Sequence, residues 1–112
     1  MSLVPEQSAF LRDVCSLLTH AHSLGYEVTG GELYRTSEQQ MIYVKQGKSK
    51  TQNSNHLRRL AIDLYFFLDG SLVECGDELE RLGHYWVGLN PLNRAGMFWQ
   101  WKDTPHFERN VK

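Results

Sequence analysis

The stretch SNHLRRLAIDL, residues 54–64, sets His56 and Asp63 seven positions apart. Its far half otherwise reads as a strand, Leu60, Ala61, Ile62 and Leu64 running on into Tyr65, Phe66 and Phe67. Taking a carboxylate out of water without a partner costs several kcal/mol or keeps it protonated. A positive group is therefore expected beside Asp63. His56 lies just ahead of the strand, and His106 sits in DTPHFE near the other end of the chain. Two neutral imidazoles and one carboxylate make a zinc site whose fourth position is left to water, as in catalytic rather than structural sites. Zn2+ would supply the charge that keeps Asp63 ionised, and water beside it has its pKa lowered to about 7, low enough to attack an amide carbonyl at neutral pH. Asp103, three residues before His106, could take a proton from that water and hand it to a leaving amine. The chemistry is amide hydrolysis. H-x6-D and D-x-x-H are short patterns that recur by chance, so the residues alone leave a second reading open: a surface histidine and a structurally satisfied aspartate.

These side chains are far apart in sequence, and the elements between them must bring them together. From Pro5 to Leu24 the apolar residues Phe10, Val14, Leu17, Leu18, Ala21 and Leu24 recur at helical spacing, with Pro5 in the first turn and Gly25 at the stop. YEVTGGELYR reads as a short extended element with a bulge or turn at Gly30 and Gly31. Thr36 with Gln39 is a capping-box pattern opening a helix through Met41, Ile42 and Tyr43 to about Gly47, and Arg35 stands just before it. The polar loop GKSKTQNSN leads to His56. A strand from Leu60 runs into FFLDGSLVE, a hairpin with Asp69 and Gly70 in its turn. Asp77 with Glu80 marks a third helix, faced by Leu79, Leu82 and Trp86 and ending before Pro91. NRAGMFWQWKDTPHFERN reads as a last strand plus loop. The sum is a small α+β domain spanning residues 1–112.

GKSKTQNSNHLRRLAIDL together with DTPHFE resembles the LAS-type zinc peptidases of family M15, whose motifs are S-x-H-x6-D and a later D/E-x-x-H. The likeness is strongest to the branch of phage endolysin L-alanyl-D-glutamate peptidases and D-alanyl-D-alanine carboxypeptidases. It runs from about Gly30 to Glu108, with RTSEQQ and LGHYWVGLNPLNRAG as weaker matches. The resemblance implies the hedgehog/DD-peptidase type of fold, a small antiparallel sheet carrying the metal with helices on its other side. It implies zinc ligands His56, Asp63 and His106, one Zn2+ per chain, and Asp103 as the general base. Arg35 matches the arginine that steadies the polarised carbonyl or a substrate carboxylate, Ser54 the motif serine used close to substrate, and Gln40 a recurrent glutamine. Many relatives have glycine in place of Arg59, and a Gly-Gly pair where this chain has Gly96 and Met97. If the first of these positions needs positive φ, Arg59 is strained there.

The function implied is hydrolysis of an amide bond in peptidoglycan stem peptides, with the L-alanyl-D-glutamyl bond favoured. A D-alanyl-D-alanine carboxypeptidase or dipeptidase, and an inactive wall-binding or virion component, are the alternatives. The setting implied is a phage, or a bacterium carrying a prophage. The expected enzyme is a monomer without a signal peptide that reaches the wall after a separate protein opens the membrane. No stretch approaches the ~20 apolar residues of a transmembrane helix, and no stable membrane insertion is expected. The basic stretch Lys45, Lys48, Lys50, Arg58 and Arg59 invites a nucleic-acid reading, but 12 basic against 13 acidic residues leave no global pull toward a polyanion, so a solvated loop is expected. His20, His22 and His84 are expected on helix surfaces, outside the site. Trp86, Trp99, Trp101, Phe98 and Phe107 are assigned mostly to the core, with one or two near His106 lining a cleft. Cys15 and Cys75 are expected to be buried free thiols, with one bridge between them left open.

Overall fold

The computed structural model describes residues 2–49, 51 and 53–112; Lys50, part of the basic stretch, lies outside them. Helix α1, Val4–Ser23, begins with Pro5 in its first turn and is stopped by Gly25 at φ +94°, a conformation glycine adopts without strain. Its buried face is Phe10, Val14, Leu17 and Ala21; Leu24, expected to complete the stripe, lies beyond the helix and is exposed. Strand β1, Glu27–Gly30, follows, then helix α2, Ser37–Lys45, whose first turn is capped by Thr36 Oγ1 accepting the Gln39 N–H at 3.1 Å. A 3-10 turn, Asn55–Arg58, interrupts the polar loop and leads into strand β2, Ala61–Leu68.

Asp69 at φ 51° and Gly70 at φ +79° form the two-residue turn into strand β3, Ser71–Val73, with Leu68 opposite Ser71 as the hairpin motif predicts. Helix α3, Asp77–Leu89, starts differently from the expected capping box. Gly76 holds the cap position and no side chain caps the helix, so Asp77, Glu78 and Glu80 act on its N-terminus through charge in the first turn. The tail makes two strands rather than one, β4, Asn93–Ala95, and β5, His106–Arg109. A 3-10 turn, Gly96–Phe98, follows β4.

All strand pairs are antiparallel, in the order β1-β2-β5-β4, with β3 also paired to β2. Alternation along β2 decides the layout. Leu64 and Phe66 are buried on the face that meets Phe10, Leu17, Leu82 and Trp86 from α1 and α3, while Asp63 and Tyr65 point to the opposite face. Asp63 therefore stands not within the apolar core but behind it. Of the five large aromatics assigned mostly to the core, only Trp86 and Phe107 are fully buried; Phe98 and Trp101 are exposed, because the segment after β4 turns away from the helices. The cysteines are free as expected but exposed rather than buried, since Cys15 lies off the α1 stripe and Cys75 in the loop before α3. His22 and His84 lie exposed on helix surfaces, and His20 stacks on Tyr85.

Trp86 joins the layers. Its Nε1–H donates to the Arg94 and Glu108 carbonyls, both at 3.1 Å, tying α3 to β4 and β5. Replacing Trp86 with Phe removes that donor and part of the ring, and should cost about 1–3 kcal/mol, read as a lowered urea midpoint. An unchanged midpoint would mean that the layer is held without this link.

Candidate active site

The register of β2 and β5 places Asp63 directly opposite His106. Directly opposed residues of an antiparallel pair share a face, so both side chains enter the cleft behind the core. His56 arrives from the 3-10 turn, where the Ser54 hydroxyl accepts the His56 N–H at 3.2 Å. Asp63 Oδ1 lies 3.4 Å from His56 Nε2 and 3.6 Å from His106 Nδ1. The three donor atoms all fall within 4.8 Å of one another.

Each ring is held by its other nitrogen. His56 Nδ1–H donates to the Leu33 carbonyl at 2.9 Å, and His106 Nε2–H donates to Glu108 Oε1 at 2.7 Å. Those bonds fix the tautomers, so the lone pairs of His56 Nε2 and His106 Nδ1 face the Asp63 carboxylate. His56 Nε2 and Asp63 Oδ1 are buried and have no hydrogen-bond partner among the described residues. Lone pairs turned toward one another in a half-buried place call for a cation. With ligand bonds near 2.1 Å, a tetrahedral ion spaces its ligands by about 3.4 Å, close to the separations found. The donor set therefore fits Zn2+.

Burial pushes the Asp63 carboxyl up, but the His106 and His56 imidazoles outweigh it and hold it well below the usual carboxylate range. Burial pulls the His106 imidazole down, yet Asp63 and Glu108 reverse this and push it up to about 9, so near neutral pH a proton competes with a cation for Nδ1. Glu108, raised by burial, is held low by His106 and by Arg94, whose Nε donates to Glu108 Oε2 at 2.8 Å. The negative surroundings are those of a cation site.

Asp103 is more exposed, its Oδ2 3.8 Å from His106 Nδ1. Burial and the neighbouring Asp63 charge raise its carboxyl against the pull of His106, His56 and Arg35. Its position comes from a tight turn: Asp103 N–H donates to the Gly96 carbonyl and His106 N–H to the Asp103 carbonyl, each at 3.0 Å. A Cβ on Gly96 would stand 2.3 Å from the Asp103 carbonyl oxygen, so glycine is sterically required at this position. At the next position Met97 is buried in the core. Arg59 does adopt the left-handed conformation, φ 56° and ψ 36°, its guanidinium 4.1 Å above the Tyr34 ring.

Arg35 lines the cleft. Glu32 Oε1 accepts from its Nε at 2.6 Å and Gln40 Oε1 from its Nη1 at 2.7 Å, while Nη2 stands 2.6 Å from Glu32 Oε1. Two of its five N–H groups remain for a substrate. Ser54 also lines the cleft, whereas Gln40 does not. Only 1% exposed, Gln40 spends its amide on Arg35, the Ser49 hydroxyl and the Thr51 carbonyl, so it positions Arg35 and the rim loop rather than touching substrate. The cleft has a volume of about 890 Å3, and Trp99 and Trp101 line it as expected for one or two aromatics near His106. Lys48 belongs to the same lining, while Arg58 turns back to Asn55.

Sequence reasoning missed Glu108 and Glu32, and it anticipated a bulge at Gly30 and Gly31 without its link to Asp63. Glu108 was legible in H-F-E, since residues two apart on a strand share a face. The bulge was half seen: Gly31 N–H donates to the Asp63 carbonyl at 2.7 Å while Asp63 N–H donates to the Glu32 carbonyl at 2.9 Å, two residues against one. A Cβ on Gly31 would approach Asp63 Cβ to 3.0 Å.

No family model matches the chain, and no curated protein matches it. Among solved structures, the crystal structure of Serratia marcescens L-Ala D-Glu endopeptidase ChiX matches with a TM-score of 0.75 and 21% identity, covering 92% of this chain and 79% of that one. The likeness establishes the fold, a small α+β domain with an antiparallel sheet and packed helices.

Glu108→Gln should weaken zinc binding roughly 10- to 100-fold, because the amide orients the His106 ring less firmly than the carboxylate. Competition with a chromophoric chelator measures it, and parent-like affinity would show that Glu108 does not support the ligand. Gly96→Ala should destabilise the protein by about 1–3 kcal/mol and displace the Asp103 turn. A thermal melt with the parent midpoint would contradict that packing.

Proposed function

We propose that the chain is a zinc-dependent peptidoglycan hydrolase that cleaves an amide bond in stem peptides, the L-alanyl-D-glutamyl bond favoured. The observation that carries the reading is the convergence of His56 Nε2, Asp63 Oδ1 and His106 Nδ1, two of them buried and unpartnered, at the spacing of a metal's ligands. The endopeptidase of like fold supports the choice of substrate class.

His56, Asp63 and His106 would hold the ion. Bound there, Zn2+ supplies the positive charge that lowers the pKa of water and polarises a carbonyl. The remaining work falls to the chain's own residues. Asp103, beside the ligand group and open to the cleft, takes the proton from the attacking water as the C–O bond forms. It returns that proton to the nitrogen as the C–N bond breaks, so the products are a carboxylic acid and an amine. Arg35, immobilised by Glu32 and Gln40, presents its free N–H groups to the oxygen on which negative charge develops. The Ser54 hydroxyl, at the cleft wall, donates to the substrate backbone. Trp99, with its ring 5.0 Å from the His106 ring, screens that side from water.

No helix among the described residues is long and apolar enough to cross a membrane. The enzyme acts as a monomer and reaches its substrate in the wall once a separate protein has opened the membrane.

Asp103→Asn keeps size and hydrogen bonding but cannot accept the proton. It should retain one zinc per chain by metal analysis while kcat on purified peptidoglycan or a stem-peptide substrate falls roughly 100- to 10,000-fold. Parent-rate hydrolysis by this variant would remove Asp103 from the role. Arg35→Ala should lower kcat while leaving zinc content at the parent level, and an effect on KM alone would assign Arg35 to ground-state binding.

A further inference from the structure

A second cavity, of about 250 Å3, adjoins the cleft. Tyr65, Lys102, Asp103 and Pro105 line both, so the candidate base stands on the ridge between them. The second cavity is walled by the β2–β3 hairpin, where Leu72 and Val73 stand opposite Phe67 and Phe66 in the register. Leu72 is 44% exposed and Tyr65 37% exposed, so this side of the cavity is an accessible apolar surface; Leu64, Phe66 and Leu79 of the core, with Val73 packed on them, and the carboxylate of Glu74 complete the lining. Lys102 makes no ion pair among the described residues.

Chemistry assigns the side of the substrate that faces this cavity. The residue that protonates the leaving nitrogen must lie on the nitrogen's side of the breaking bond. What the nitrogen carries therefore lies past Asp103, and past Asp103 the open space is the second cavity. In an L-alanyl-D-glutamyl amide joined onward through the side-chain carboxyl, the carbon bearing that nitrogen also bears a free carboxylate, which needs a cation close to the base. Lys102 adjoins Asp103 in the chain and borders both spaces.

We propose that the second cavity is the subsite for the amine-side segment of an anionic peptide, with Lys102 pairing the free carboxylate and Leu72 and Tyr65 packing on the segment that continues beyond it. The inference rests on the hydrolase reading above and extends it. A carboxypeptidase substrate ends at the residue that Lys102 reads and leaves the hairpin wall uncovered, whereas an endopeptidase substrate runs along it.

The test uses the zinc-loaded full chain and two substrates cut at the same bond, N-acetyl-L-Ala-D-Glu and the longer N-acetyl-L-Ala-γ-D-Glu-L-Lys. Leu72→Asp, at an exposed strand position, should lower the long-to-short ratio of kcat/KM at least tenfold. Lys102→Ala should raise KM roughly tenfold, with Lys102→Arg restoring most of it, and amidating the free carboxylate of the substrate should abolish the difference between parent and Lys102→Ala. An unaltered ratio in Leu72→Asp, or a Lys102→Ala effect as large on the amidated substrate, overturns the proposal. A parent that cuts neither peptide contradicts the hydrolase reading instead. The subsite then stands or falls by NMR titration of the γ-D-Glu-L-Lys fragment: shifts at the Leu72, Val73 and Lys102 amides support it, and shifts elsewhere overturn it.

Discussion

Asp63 faces His106 because β2 and β5 pair antiparallel in one register, and a slip of one residue would send each side chain to the helix-packed face. The rest of the cleft depends on this constraint. The register that brings carboxylate and imidazole together also drives Leu64, Phe66 and Phe107 into the core. Hydrophobic packing on one face thus fixes polar geometry on the other. At roughly 2 kcal/mol for each large apolar side chain buried, that packing outweighs the cost of turning unlike-partnered lone pairs toward one another.

Around this pair the protein has built rigidity rather than hydrogen bonds to the site atoms themselves. His56 is oriented by a backbone carbonyl, and His106 by a buried carboxylate whose own charge is met by Arg94. Asp63 is clasped through its backbone by the Gly31–Glu32 bulge, which leaves its Oδ1 facing the two imidazoles without a hydrogen bond. A buried carboxylate kept ionised with a lone pair that no donor meets is a poor arrangement for stability alone. It is a good one for gripping a cation, since the cation is then the missing partner.

The elements with strong local signals were legible in the sequence: the α1 stripe, the Thr36 cap, the Asp69–Gly70 hairpin and the face of α3. So were the residues that converge, because H-x6-D and D-x-x-H bracket the two strands that the register joins. Less legible was whatever depends on tertiary contact. The α2 helix buries Gln40 while Met41 and Ile42 stay exposed, so it docks through hydrogen bonds that no hydrophobic periodicity reveals. Short β4 has too few residues for a pattern and is specified by its neighbours. Trp101 and Phe98 look like core by residue type, yet the Gly96 turn carries them outward, a steric fact invisible until Asp103 is seen to lie against that glycine. Arg59 shows the reverse case, where the strain anticipated from its side chain is present as a left-handed backbone.

The central claim is that residues 56, 63 and 106 form one binding site for a divalent ion. The most direct measurement is anomalous diffraction at the zinc edge from crystals grown with zinc available. The account predicts a single strong peak roughly 2.0–2.2 Å from His56 Nε2, Asp63 Oδ1 and His106 Nδ1. A structure in which that position stays empty while zinc occupies other surface sites, or in which either imidazole has turned away from the carboxylate, would contradict it.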